Sequence, residues 1–393
     1  MDEREFSSKI AGEVRSNYGE FVYFQPYDLP FDIEISNRIR RKSLKAIITL
    51  AHLDGKASEM EKAERDIFLK VFSLKESSHS SSIEGTHSTT EDLYRYEKQH
   101  SVSESQERDA REVLNYRDAL ELGLRKIREG EPLGVELFHE MHRALLQGVR
   151  GENKSPGEFK TIPNAIGRPG DTLETAKMVP ALPESVEHLI DNLLEFLDSE
   201  EDPIIKIALA HYQFEVIHPY RDGNGRMGRM LILLLLAKEG ILHYPVIYPS
   251  EYFDRRRGMY IDRLFDVSSK DMFDEWFDFF IDALNEQAKE SIRLIDSLKR
   301  YKRYLQGMAT SKLESDIINL LFMNPYVNSR DIMDNCGVTN PTAVRALSAL
   351  VEKGILREIT GKKRNALYAA DEILEILSGK LYEYSVDSVL SDE

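Results

Sequence analysis

The stretch HPYRDGNGR, His218 to Arg226, decides how this sequence is interpreted. It lies between two strongly apolar segments, YQFEVI before it and MLILLLLA after it. A histidine, two arginines, an aspartate and a Gly-Asn-Gly turn therefore stand at the junction of two segments that are typical of buried helices. Either this is an ordinary polar loop between core helices, or the helices serve to present the loop.

Composition limits the class of protein. The chain has 393 residues, 41% of them hydrophobic, which predicts a globular protein of two or three domains. The acidic net charge of −16 argues against binding nucleic acid through bulk charge. A single cysteine, Cys336, excludes an internal disulfide and favours a cytoplasmic location. The polar N-terminus does not resemble a signal peptide, and the run Met230 to Ala237 is far shorter than the ~20 residues of a membrane span.

The pattern of apolar residues predicts a mainly α fold. Helical spacing is found over residues 33–55, 59–79, 91–127, 185–197, 203–217, 226–238 and 271–305. Residues 150–183 are the exception, because four glycines and five prolines separate short extended pieces there. That segment predicts a small β-hairpin or an ordered loop.

The pattern of apolar and polar residues changes from Lys312 onward. Three short helical patterns, LESDIINLLFMN, SRDIMDNCG and NPTAVRALSALVEKG, precede two short strands around a basic GKKRN turn. Ser329 and Asn340 are the predicted N-caps of the second and third helices. This order predicts a C-terminal winged helix-turn-helix. The chain is thus expected to divide into residues 1–110, 111–305 and 306–393.

The chemistry of the opening loop favours phosphate binding. If Gly223-Asn224-Gly225 opens a helix, the first N–H groups and the positive end of the helix dipole face the loop and form an anion site. Arg226 and Arg229 lie on one face of the first turn, and both can contact one polyanion. Asp222 is a hard oxygen ligand suited to Mg²⁺, and His218 can accept a proton from an attacking hydroxyl.

The segment HPYRDGNGRMGR, His218 to Arg229, resembles the Fic-domain signature, with Tyr220 at a position where that family has phenylalanine. The resemblance continues through AHYQFEVIHP (Ala210 to Pro219) and WFDFFIDAL. The segment GEFKTIPNAIG, Gly157 to Gly167, is similar to the family's flap, which clamps the target backbone and the nucleotide. This resemblance covers most of residues 20–305 and implies a helical Fic core with a small hairpin flap.

The resemblance implies a protein adenylyltransferase. His218 would deprotonate a Ser, Thr or Tyr hydroxyl of a target protein, which attacks the α-phosphate of ATP. Asp222 would hold Mg²⁺ on the phosphates. The implied nucleotide-binding residues are Asn164, Ala165, Ile166 and Gly167 in the flap, Gly223, Asn224 and Gly225 as the anion hole, Arg226 and Arg229 on the β- and γ-phosphates, and Tyr260 beside the adenine.

An inhibitory motif is implied upstream. SSSIEG, with Ser80, Glu84 and Gly85 at its defining positions, is similar to the motif that precedes the catalytic core in many Fic proteins. In that interpretation Glu84 reaches the nucleotide site, pairs with Arg229 and keeps it from the γ-phosphate. The same glutamate could instead position a water for removal of AMP, and the sequence leaves both roles open.

Partners are less defined by the sequence. Self-modification, an unidentified target protein and a homodimer are all compatible with it. Between Asn340 and Tyr368 six basic residues face two acidic ones, so the winged helix is expected to dock either DNA or a protein. The alternative for the whole chain is a DNA-binding transcriptional regulator that uses the Fic-like core as a nucleotide sensor.

Overall fold

The computed structural model describes residues 1–98, 103–168, 170–362 and 366–379 and is mainly helical. The helices are α1 Asn37–Ser58, α2 Lys62–Ile83, α3 Thr90–Tyr96, α4 Glu104–Arg128, α5 Val135–Leu146, α6 Pro183–Phe196, α7 Pro203–Ile217, α8 Asn224–Lys238, α9 Ser250–Arg255, α10 Arg257–Lys270, α11 Phe273–Met308, α12 Lys312–Met323, α13 Ser329–Cys336, α14 Asn340–Glu352 and α15 Asp371–Leu377. In the described part of the chain, no helix is both long and apolar enough to span a membrane.

Strands are few and short. An N-terminal hairpin pairs β1, Gly12–Asn17, with β2, Phe21–Pro26, in antiparallel register. A second sheet has the order β3-β5-β4, formed by Tyr326–Asn328, Leu367–Ala369 and Arg357–Glu358. The segment predicted as a hairpin contributes one antiparallel bridge, in which the N–H groups of Ile166 and Met178 each bond the other's carbonyl. The other described residues of that segment before α6 form turns, bends and irregular chain.

The chain forms two compact units. The first comprises residues 1–59, 73–87 and 111–288. The second comprises those residues of 60–72, 88–110 and 289–393 that the structure describes. The first unit contains the opening loop, the segment Ser80–Gly85 and the flap. The three-part division expected from the sequence stays a prediction.

The centre of the first unit is the pair α7 and α8, which pack against each other. Nearly every side chain of both helices is buried, as expected for helices that are apolar on all faces. Asp202 caps α7 by accepting from the N–H groups of Ile204 and Ile205, and Pro203 occupies the first turn. The indole Nε1 of Trp276 donates to the carbonyl of Ala208 at 3.0 Å, which fixes α11 against α7. A rigid pair of helices therefore flanks the loop.

The end of α2 is anchored by a buried carboxyl group. Glu76 is fully buried and accepts hydrogen bonds from the Tyr116 hydroxyl and from the backbone N–H and hydroxyl of Ser250. Burial raises the pKa of Glu76. Because α2 extends to Ile83, four residues past the predicted end, Ser80 lies inside the helix and Glu84 directly follows it.

In the second unit, the described C-terminal elements follow the order α12, β3, α13, α14, β4, β5. Two predicted caps are wrong. Asn328 rather than Ser329 caps α13, through a capping box with Asp331, and Thr339 rather than Asn340 precedes α14. The tip of the basic turn, residues 363–365, lies outside the described residues, and the winged-helix assignment stays a prediction.

Candidate active site

His218 ends α7 in the left-handed conformation, with φ of 52°. Its ring Nδ1 lies 3.1 Å from the carbonyl oxygen of Glu215. Since a carbonyl can only accept, Nδ1 carries the proton and Nε2 presents a lone pair. Burial, and after it the nearby Lys160 ammonium, lower the pKa of His218 to about 4. The imidazole is therefore neutral near pH 7 and able to accept a proton.

Two glycines shape the start of α8. Gly223 occupies the N-cap with φ of 77°, a conformation that glycine adopts without strain. Gly225 is needed for space, because a Cβ there would overlap the Oε1 atom of Glu84. The first N–H groups of α8 have no partners within the helix and are available to an anion, and the anion site itself stays a prediction.

The Asn224 side chain closes the loop through two hydrogen bonds to the backbone of Tyr220. Its Oδ1 accepts from the Tyr220 N–H at 2.8 Å, and its Nδ2 donates to the Tyr220 carbonyl at 2.7 Å. Both bonds are buried and hold the loop closed. Because both polar atoms of this side chain bond the loop, the backbone N–H is the group of Asn224 that remains available to an anion.

Asp222 and Arg226 face each other across the first turn of α8. The side chain of Asp222 is 31% exposed, and its Oδ1 lies 3.5 Å from Nη2 of Arg226, whose side chain is 1% exposed. The Nε and Nη1 atoms of Arg226 have no hydrogen-bond partner among the described residues, and burial lowers the pKa of this guanidinium. An exposed carboxylate beside incompletely paired donors is a suitable place for a metal-bound phosphate.

Arg229 is held by the segment predicted to be inhibitory. Its Nε donates to the Ser80 hydroxyl at 2.8 Å, and its Nη2 donates to the Ser80 carbonyl at 2.9 Å and to Glu84 Oε1 at 2.7 Å. Burial opposes the charge of Arg229, but the Glu84 carboxylate outweighs it and raises the pKa of the guanidinium. The structure thus brings the two residues together as the resemblance implied.

A cavity of about 770 Å³ unites these groups. Of the predicted site residues, its wall includes Glu84, Ile166, Gly167, His218, Asp222, Gly223, Asn224, Gly225, Arg229 and Tyr260. Asn164, Ala165 and Arg226 do not line it, and neither do Ser80 and Gly85. The Nδ2 of Asn164 instead donates to the carbonyls of His218 and Tyr220. The flap therefore holds the loop through hydrogen bonds to its backbone, and it reaches the cavity only through Ile166 and Gly167.

Tyr260 is buried in the cavity wall. Its hydroxyl donates to Nε2 of His211 at 2.8 Å, while Nδ1 of His211 donates to the Gly228 carbonyl at 2.9 Å. The position of His211, two helical turns before His218, predicts a hydrogen-bonded core residue, and its full burial confirms this. Ile261 follows Tyr260 in the same wall, so this side of the cavity is largely apolar.

One interpretation of the sequence is wrong for His142. The spacing of His139 and His142 predicts a surface or semi-buried pair rather than a metal site, but His142 is fully buried and stacks on Tyr220 with ring centroids 3.8 Å apart. Its Nδ1 accepts from the Gly157 N–H and its Nε2 donates to the Asp222 carbonyl. The Tyr220 hydroxyl lies 3.1 Å from Nδ1 of His139. The tyrosine at the phenylalanine position thus has the partner that a buried hydroxyl needs.

Comparison with known proteins relates two parts of the chain to one family. Residues 132–236 match the model of the Fic/DOC family, and residues 41–125 match that of the Fic/DOC family N-terminal region. Protein adenylyltransferase fic-1 of Caenorhabditis elegans is 30% identical over 128 residues, which are 32% of this chain and 23% of the relative. Protein adenylyltransferase Fic of Culex quinquefasciatus is 26% identical over 286 residues, 64% of this chain and 53% of the relative.

The chain spans less than two thirds of the length of these curated relatives. Among solved structures, a Fic family protein from Desulfovibrio desulfuricans G20 has a TM-score of 0.55 at 18% identity, covering 86% of this chain and 97% of that one. That likeness concerns the fold. Residues 132–236 are therefore similar to the Fic/DOC family, and residues 41–125 before them are similar to the N-terminal region of that family.

Proposed function

We propose that the chain is a protein adenylyltransferase that moves AMP from ATP to a Ser, Thr or Tyr hydroxyl of a protein, itself included. The observation that carries this proposal is the convergence of His218, Asp222, the start of α8 and Arg229 on one cavity. These groups supply a base, a metal ligand and two anion contacts, which phosphoryl and nucleotidyl transfer require. The names of the curated relatives support the same class of reaction.

In this proposal Nε2 of His218 takes the proton of the attacking hydroxyl. The hydroxyl oxygen forms a bond to the α-phosphorus of ATP, and the bond from that phosphorus to the oxygen bridging the β-phosphate breaks. Pyrophosphate leaves and the protein keeps AMP. The Glu215 carbonyl, which already accepts from Nδ1, holds the ring in the required tautomer and stabilises the imidazolium that forms.

The phosphates would be bound by backbone and guanidinium donors. The N–H groups at the start of α8 face the cavity, and Arg229 lies on the same helix one turn further along. Asp222 would hold Mg²⁺, which neutralises phosphate charge when bound; one carboxylate together with substrate phosphates is a common way to bind this ion. The partly exposed carboxylate of Asp222 in the cavity wall fits that use.

The proposal includes autoinhibition by Glu84. As long as Glu84 Oε1 accepts from Arg229 Nη2, that guanidinium is not available to a γ-phosphate. The carboxylate also lies against Gly225, where it adds negative charge to the proposed anion site. Withdrawal of Glu84 would release both. The reverse reaction, removal of AMP with Glu84 positioning a water, remains a second use of the same residue.

The test uses ATP labelled at either the α- or the γ-phosphate. We expect Glu84→Gly to incorporate the α-label into protein and to leave the γ-label in solution. His218→Ala in the same background should abolish incorporation while nucleotide binding is largely retained, because His218 makes none of the proposed phosphate contacts. Incorporation of the γ-label would indicate a kinase instead, and full activity without His218 would remove it from the mechanism.

The alternative, a DNA-binding regulator with a nucleotide-sensing core, gains no support from the described residues. Two of the six basic residues counted in the sequence are engaged within the protein. Lys353 pairs with Glu314 at 2.7 Å, and Arg357 pairs with Asp371 at 2.6 Å. A salt-sensitive, sequence-selective DNA complex of the full chain, together with absence of AMP transfer, would favour the regulator.

A further inference from the structure

Lys160 is a buried cation behind the catalytic loop. It is 3% exposed and is not among the residues that line the cavity. Its Nζ donates to the Ile217 carbonyl at 3.0 Å and to Asn164 Oδ1 at 2.8 Å. Neither acceptor is a carboxylate, so the ammonium is buried without an opposite charge among its hydrogen-bond partners. Such burial is costly and is rarely found without a reason.

The contacts of Lys160 and Asn164 form a clamp on the residues around His218. The Lys160 N–H donates to the Pro219 carbonyl at 2.8 Å. Asn164 Nδ2 donates to the carbonyls of His218 at 3.2 Å and Tyr220 at 2.8 Å. Four successive carbonyls, from Ile217 to Tyr220, are thus bound by two flap residues. This fixes the backbone where His218 adopts its left-handed conformation.

We propose that Lys160 is a positioning residue for His218, which holds the backbone of the loop through this clamp and adds a buried positive charge to it. The proposal rests on the proposed function, in which His218 must be a neutral base. Lys160 touches no reacting atom. Its effect on the reaction would come from the position and charge state of His218.

The charge of Lys160 also affects the protonation of His218. Burial lowers the pKa of the Lys160 ammonium to about 7, so Lys160 is charged in the acidic range where His218 titrates. A positive charge on Lys160 disfavours a second positive charge on the His218 ring and so lowers its pKa. Other charged groups also line the cavity with His218, and each main element around it contributes at least one. They are Glu84 directly after α2, Glu215 of α7, Arg221 and Asp222 of the loop, Arg229 of α8 and Arg257 of α10. The flap side adds Arg168, Asp171 and Lys177. All of these stay unchanged when only Lys160 is replaced.

The experiment compares Lys160→Met, Lys160→Gln and Lys160→Arg, each in the Glu84→Gly background. Methionine removes the charge and the donor, glutamine keeps a donor without charge, and arginine keeps the charge. Two quantities are measured: the rate of AMP incorporation between about pH 4 and 8, and the NMR titration midpoint of the His218 ring, which is followed down to well below pH 4 and assigned by its loss in His218→Ala. The second needs no catalysis.

We expect the acid limb of the rate profile and the His218 midpoint to move up by about one pH unit in Lys160→Met and Lys160→Gln, and to stay in Lys160→Arg. In Lys160→Met, kcat should fall about tenfold or more, because the loop is held less firmly, while KM for ATP changes less than about twofold.

An unmoved midpoint in folded Lys160→Met and Lys160→Gln would overturn the proposal, as would an equal shift in Lys160→Arg. If the midpoint moves as expected but the Glu84→Gly background transfers no AMP, the Lys160–His218 coupling stands and the proposed function fails.

Discussion

The contact between Glu84 and Arg229 leads to two predictions, because the bond that we propose to inhibit the site should also stabilise the fold. Replacing Glu84 with glutamine removes the charge but keeps the size and an acceptor oxygen. Arg229, whose side chain is 2% exposed, would retain its two bonds to Ser80. We therefore expect Glu84→Gln to raise AMP transfer and to lower the stability of the first unit.

The size of both effects follows from burial. Breaking a fully buried ion pair costs about 3–5 kcal/mol, whereas an exposed pair contributes about 0–1 kcal/mol. The Glu84 side chain is 36% exposed and faces the cavity, so solvent screens the pair from one side. We place its contribution at about 1–2 kcal/mol. That corresponds to roughly a 5- to 30-fold gain in transfer and to a melting temperature lower by about 2–6 °C.

Both effects can be measured on the same preparation. Transfer is followed with ATP labelled at the α-phosphate, and unfolding by the fluorescence of Trp276, the only tryptophan in the chain, which is buried in the first unit. Glu195→Gln, at an exposed position on α6, is the matched control and should change neither quantity. A Glu84→Gln protein with unchanged transfer and unchanged melting temperature would refute the reasoning.

The remaining predictions concern the loop and its supports. The unfolded chain binds a proton at His218 near pH 6.5, whereas the folded chain does so near 4, so the free energy of unfolding should fall as the pH decreases between these values. His218→Ala should reduce that slope by up to about 1.4 kcal/mol per pH unit, measured by urea unfolding across the range. Gly228→Ala should cost about 1–3 kcal/mol, because its Cβ would overlap Glu215 Oε1, and Glu215→Ala in the same chain should recover most of it; no recovery would exclude that overlap as the cause. Tyr220→Phe should cost about 1 kcal/mol through the lost bond to His139 and change transfer less than twofold, and a larger loss of transfer would give the hydroxyl a role in the reaction.

The sequence predicted the loop and its flanking helices well, because both signals are local. Asp202 and Pro203 mark the start of α7, and the apolar run up to Ile217 marks its end, so the predicted and observed bounds agree. The glycines likewise indicate the start of α8, which begins at Asn224, two residues before the predicted start at Arg226. The pairing of Glu84 with Arg229 was available only through the family resemblance, since the two residues are 145 positions apart.

The supports of the loop could not be read in the same way. His142 lies one turn after His139 on a helix, and their spacing is equally compatible with an exposed pair; only the packing of Tyr220 decides the matter. Lys160 looks like an ordinary loop lysine, since lysine is rarely buried. The hairpin β1–β2 lies before the first predicted element at residue 33. These features depend on contacts between distant segments, which periodicity does not report.

The mass of the intact Glu84→Gly chain after incubation with ATP and Mg²⁺ tests the central claim most directly, with Glu84→Gly/His218→Ala treated in parallel. The account predicts that the first protein gains the mass of one or more adenylyl groups, each on a hydroxyl-bearing side chain, and that the second gains none. An unmodified Glu84→Gly chain that also leaves every added protein unmodified, or equal modification of both chains, would contradict it.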